Sequence, residues 1–251
     1  MSPGCWDGKD VGSLNEQSKV LAPLAPPVSY AERAYRALRE AILRLDLQPG
    51  QSVSENELAV QLEISRSPLR QAFALLQKEG LIITFPQKGS YVTRIDPKEV
   101  ADSCEMRLLL ETWSLDKTLE NGGTWDLQGL RQLLQAQEEA VRSDAYATFL
   151  DLDSRFHMTI MGATGNDKAG DLYEQVNVGI ARVRAWELRT QKSLQTGLTE
   201  HREIFRALEA EDVLRVKELC VEAANRLLPS MQLMRSTHPA YFTDHASAPR
   251  Q

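Results

Sequence analysis

The sequence predicts a mainly α-helical protein in two parts: three helices with a two-stranded hairpin, followed by an all-helical bundle. Three observations carry this expectation. Apolar residues recur at helical spacing from Tyr30 onward, the β-rich runs LIITF and SYVTRI interrupt them once, and beyond Ile95 the helical spacing resumes. The chain has 251 residues, 42% hydrophobic and 25% charged, which is ample for two modest domains and excludes wholesale disorder or a fibrous repeat.

The elements follow in order. Residues 1–28 end in LAPLAPPVS, Pro-rich and without periodicity, and read as a flexible N-terminal arm. Ala34, Leu38, Ala41, Ile42 and Leu45 then mark one face of a first helix, which LQPG stops. Ser54 opens SENEL, with Glu57 three residues on, the arrangement of a capping box, and a short second helix runs to about Leu62. After a turn at Glu63 and Ile64, SRSPLRQAFALLQKEG forms a third helix with Ser65 as its cap, Pro68 in its first turn and Gly80 as its terminator. The hairpin follows, with Pro86, Gln87, Lys88 and Gly89 at its tip. This module spans 29–95. A bundle of about six or seven helices is expected over 98–230, with 231–251 as a C-terminal tail.

Net charge is −6, which argues against a protein that coats nucleic acid by overall charge. The charge is unevenly placed. Between Ser65 and Ile95, Arg66, Arg70, Lys78, Lys88 and Arg94 face only Glu79, whereas the residues beyond Ile95 are strongly acidic. Cys5, Cys104 and Cys220 lack C-x-x-C spacing and suggest neither a disulfide framework nor a zinc ribbon. No apolar run is long enough to span a membrane, and the start, MSPGCWDGKDVGSLNEQ, has no signal-peptide core; a cytoplasmic protein with no membrane partner is expected.

A short helix, a tight turn and a helix with basic first turns are the parts of a helix-turn-helix. Arg66 and Arg70 stand four apart on one face, while Leu69, Phe73 and Leu76 supply the opposite, buried face. The planar fork of Arg suits guanine O6 and N7 or a phosphate, and Ser65 and Ser67 can donate to phosphates beside it. The hairpin is then a wing whose Lys88–Gly89 tip can approach the DNA backbone. The run ELAVQLEISRSPLRQAFALLQKEGLIITFPQKGSYV resembles the winged helix-turn-helix of the GntR family of bacterial transcriptional regulators, with its SR-x-P-x-R, EGL and P-x-x-G pattern. The resemblance implies that Arg66 and Arg70 contact double-stranded DNA, that Ser65, Ser67, Lys88 and Gly89 assist, and that a homodimer binds a palindromic operator. Asn56 stands where many members carry Arg.

In the bundle, Arg107 and Glu111 are four apart, the spacing of an intrahelical ion pair. Asp153 and His157 have the same spacing, which suits either a charge-assisted hydrogen bond or two ligands of one divalent metal, with His201 as a third. RLLLE, D-x-x-FH, Gly165–Asn166, EHREIFRAL and AEDVLRVKEL stand in the order of the FCD ligand-binding domain, found in the FadR-like subfamily of the same family. That resemblance implies zinc or nickel held by Asp153, His157 and His201, and a small organic acid as effector, paired with Arg107 and with Arg184. The fourth His that such sites carry is expected near position 223, where this chain has Ala223. Trp113 and Trp186 are candidates for the pocket wall or for the core. The reading is a ligand-responsive transcriptional regulator and not an enzyme. Two alternatives stand beside it: a metal-dependent hydrolase using Asp153, His157 and His201 around an open metal position, and a metal sensor.

Overall fold

The structure, a computed structural model, describes residues 29–243. The arm expected over 1–28 lies outside them. Helix α1 (Tyr30–Leu43) starts where Ser29 Oγ accepts a hydrogen bond from the Glu32 amide at 3.1 Å, and it buries Ala34, Leu38 and Ile42 on one stripe. Helices α2 (Glu55–Gln61) and α3 (Arg66–Lys78) follow, joined through Glu63 at φ 52. Leu69, Phe73 and Leu76 of α3 close the small core against α1.

Two details differ from expectation here. The sheet has three strands, because β1 (Ser52–Val53) pairs antiparallel with β3 (Gly89–Val92), which in turn pairs with β2 (Ile82–Phe85). A two-residue strand is too short to show any alternation in sequence. Ser65 occupies the N-cap of α3 without a side-chain cap hydrogen bond, so its hydroxyl is not spent on the helix. Ser54 does cap α2, accepting from the Glu57 amide at 3.4 Å.

The bundle comprises α4 (Pro97–Glu120), α5 (Leu127–Arg142), α6 (Tyr146–Gly162), α7 (Asp167–Glu187), α8 (Gln191–Glu209) and α9 (Val213–Thr237). Its main core gathers Leu130, Phe149, Phe156, Leu194 and Leu198 from α5, α6 and α8. Of the segment expected as a C-terminal tail over 231–251, residues 231–237 belong to α9, and residues 244–251 lie outside the described residues. Met231 and Met234 keep α9 buried through its last turns, and a short 3-10 turn at Pro239–Tyr241 then brings Phe242 into a cluster with Leu45, Ile95, Val100 and Met234. The Ile95 amide donates to the Tyr241 carbonyl at 2.8 Å and the Thr243 amide to the Ile95 carbonyl at 2.9 Å. The C-terminal segment therefore straps the junction between the two parts.

Other bonds cross that junction. Arg182 of α7, buried, donates to the Thr93 carbonyl at 2.6 Å, and Arg44 at the end of α1 donates to Asp151 of α6 at 2.9 Å. Among the described residues, no helix is long and apolar enough to cross a membrane.

Candidate functional site

Two regions of the molecule gather residues with binding chemistry. On the small module, Ser65, Arg66, Ser67 and Arg70 are all exposed in the first turns of α3, while Leu69 between them is fully buried. The helix thus presents donors outward on a rigidly packed stem. Arg70 donates through Nε to Glu55 of α2 at 3.3 Å, with 70% of its side chain still exposed. At the wing, Gln87 (φ 62) and Gly89 (φ 95) make the reversal, and Gly89 adopts a backbone that side chains disfavour. The Tyr91 hydroxyl donates to the Lys88 carbonyl at 2.9 Å, bracing an exposed tip. The wing residues and the α3 arginines belong to one domain; no DNA is present to bring them onto a common ligand.

The second region is a buried polar cluster. Asp153 and His157 come from α6 and His201 from α8, and one ligand atom from each lies within 4.8 Å of the others. His201 stacks on Phe156 at 4.3 Å between ring centroids, and burial lowers its pKa to about 3, so its ring is neutral. Its Nδ1 lies 2.8 Å from Oε1 of Gln137, a fully buried residue whose own amide nitrogen has no partner. With the Nδ1 proton donated to that oxygen, the Nε2 lone pair faces Asp153 Oδ1 at 3.4 Å. Two acceptors turned toward each other in a buried site are reconciled by a cation, and a neutral imidazole beside a carboxylate is the donor set a divalent metal takes. Burial opposes ionisation of Asp153, but the Arg184 guanidinium beside it holds its carboxyl well below the usual range. The three residues therefore fit a metal. Where a fourth His is expected, Ala223 instead lines a cavity of about 40 Å³ shared with His157, His201 and Glu111, room for a water or a ligand oxygen.

Glu111 plays a larger part than its spacing suggested. Its Oε1 accepts from Arg107 Nε at 2.8 Å and from the Tyr173 hydroxyl at 2.6 Å, and it lies 3.2 Å from His157 Nδ1. Burial alone would raise its pKa, yet Arg107, His157 and Tyr173 keep it ionised well below the usual carboxylate range. Burial likewise works against the Arg107 charge, but Glu111, Tyr173 and Asp153 together outweigh it and raise its pKa. Arg107 and Arg184 both line a cavity of about 480 Å³ that reaches Asp153 and His157. Arg184 commits one terminal nitrogen to Asp153 and the other to Glu187, each at 2.8 Å. Trp113 and Trp186 do not line this cavity; Trp186 packs beside Leu228 and Tyr241. Tyr173 and Gln137 were not anticipated, because a lone Tyr in DLYEQV reads as an apolar face and a Gln in QAQEEA as a solvated one.

Comparison with known proteins matches both regions. Residues 30–92 match the model of the bacterial regulatory proteins of the gntR family, and residues 102–226 match that of the FCD domain. A protein of Streptomyces ambofaciens, described as an HTH-type transcriptional regulator in an unstable DNA locus, is 33% identical over 217 residues, 86% of this chain and 91% of its own length. The HTH-type transcriptional repressor RspR of Escherichia coli K12 is 27% identical over 221 residues, 88% of this chain and 97% of its own. Among solved structures, E. coli McbR/YncC superposes with a TM-score of 0.70 at 19% identity, covering 84% of this chain and 100% of that one, a likeness of fold.

Proposed function

The chain belongs to the gntR family of bacterial transcriptional regulators, in the branch that carries an FCD domain, and from that premise we propose that it is a dimeric, ligand-responsive regulator whose operator affinity is set by a small organic acid. The observation that carries the reading is the pairing of an exposed Arg66–Arg70 face on α3 with a half-open cavity lined by the charged Arg107. An effector carboxylate pairs with Arg107, a lining arginine whose terminal nitrogens are not both committed.

Asp153, His157 and His201 would hold a divalent cation, zinc or nickel, whose charge would give an effector oxygen a second anchor. Inductively coupled plasma mass spectrometry of purified protein tests this: about one metal per chain in the wild type, lost in His157→Ala with His201→Ala. A wild type as metal-poor as the variant would refute it.

Dimerisation is supported by Met106, Leu109 and Trp113, exposed apolar residues along one face of α4, with Leu109 57% exposed. In a dimer the two α3 helices must meet half-sites about one helical turn apart, so an effector that shifts the modules by a few ångströms weakens simultaneous docking. The test is selection of genomic fragments by the purified protein, followed by sedimentation of the complexes. Inverted repeats bound by two chains support the reading; recovery of no preferred sequence refutes it. A Leu109→Asp variant that sediments as the wild type would remove the α4 face from the dimer.

A further inference from the structure

The 480 Å³ cavity is not walled by the bundle alone. Arg36, Arg39, Glu40 and Leu43 of α1 and its C-cap residue Arg44 also line it, on the first helix of the DNA-binding module. A cavity of this size sits within the roughly 300–1,000 Å³ that enclose small organic ligands.

Of the six arginines around it, two are committed to carboxylates, three are held only through Nε, and Arg155 of α6 is exposed. Arg44 gives one terminal nitrogen to Glu40 at 2.5 Å and the other to Asp151 at 2.9 Å. Arg184 is committed in the same way to Asp153 and Glu187. Arg36, Arg39 and Arg107 are instead held through Nε, by Glu32, Glu79 and Glu111 at 2.7, 2.7 and 2.8 Å. Each keeps its terminal nitrogens for another acceptor, the geometry a carboxylate or phosphate takes in bidentate fashion. One anionic group on Arg107 therefore leaves the terminal nitrogens of Arg36 and Arg39 of α1, besides exposed Arg155 of α6, for a second on the same cavity.

We propose that the effector carries two anionic groups, one bound by Arg107 in the bundle and the second by Arg36 and Arg39 of the DNA-binding module, so that the ligand itself bridges the two domains. This rests on the acid-effector reading above and specifies its ligand. Arg39 gives the bridge a direct route to DNA. Its Nε holds Glu79, the C-cap residue of α3, which the Tyr35 hydroxyl also grips at 2.9 Å. An anion drawn to Arg39 thus acts one hydrogen bond away from the end of the DNA-reading helix.

The test is isothermal titration of the full chain with succinate, adipate and 3-phosphoglycerate, set against monomethyl succinate, monomethyl adipate and glycerate as singly charged counterparts. At least one of the acids with two anionic groups is expected to bind about tenfold or more tightly than its counterpart. Arg36→Gln with Arg39→Gln abolishes that excess and leaves the weaker binding, whereas Arg107→Gln removes both. Since Arg39 also supports Glu79, Arg36→Gln alone guards against a folding artefact: Arg36 pairs within its own helix and is largely exposed, so the variant should fold normally and still lose part of the excess. Equal affinity for every acid and its counterpart, or an excess untouched by these variants, overturns the bridge and leaves the acid-effector reading standing. No binding by any of the probes overturns both.

Discussion

At position 111 one carboxylate answers three donors: the Arg107 guanidinium, the Tyr173 hydroxyl and the His157 ring. Removing it strands a buried arginine, so Glu111→Ala is expected to lower unfolding free energy by about 3–5 kcal/mol, read by urea denaturation, while Tyr173→Phe costs about 1 kcal/mol. On the DNA face the balance runs the other way. Arg70 is held by Glu55 in an exposed ion pair, so if α3 reads DNA as proposed, Glu55→Gln should tighten operator binding about two- to fivefold. Unchanged or weaker binding would mean that Arg70 is positioned by Glu55 and not restrained by it. The exposed face of α3 was legible in the sequence because SRSPLR is local: spacing alone puts Arg66 and Arg70 on one face. The roles of Glu111 and Gln137 were not, because their partners Tyr173 and His201 arrive from helices 62 and 64 residues away.

Among the elements, the one least visible in sequence is the C-terminal segment. PAYF has neither helical nor strand periodicity, and its role comes from where α9 delivers it: Phe242 against Leu45 and Ile95, with main-chain bonds to both sides of Ile95. Strand β1 escaped notice for a related reason, since two residues become a strand only through pairing with β3. The long helices and the hairpin, by contrast, announce themselves through repeated spacing and through turn residues such as Gly80 and Gly89. If the segment straps the junction, Phe242→Ala should cost about 3–5 kcal/mol, the usual cost of emptying a buried aromatic site. More specifically, hydrogen exchange at the Ile95 amide, which the Tyr241 carbonyl accepts, should accelerate toward that of an open loop. Exchange at Ile95 that stays slow after truncation beyond Thr237 would show that the junction holds without the strap.

On the scale of the whole molecule, two docked parts divide the work. The small module carries the basic face of α3, and the acidic bundle encloses a cavity that Arg36, Arg39 and Arg44 of the module help to wall. Arg182 and Arg44 tie the parts across their junction, so the placement of α3 depends on what happens at that boundary. The account stands on α3 as the DNA-reading element, and the most direct measurement is binding of a selected genomic site by wild type and by Arg66→Ala with Arg70→Ala, from 50 to 200 mM salt as a typical range. The expected result is steeply salt-dependent binding by the wild type, and a loss of about 2–6 kcal/mol in the double variant with its thermal unfolding unchanged. Equal binding by the two proteins across that series would contradict the account.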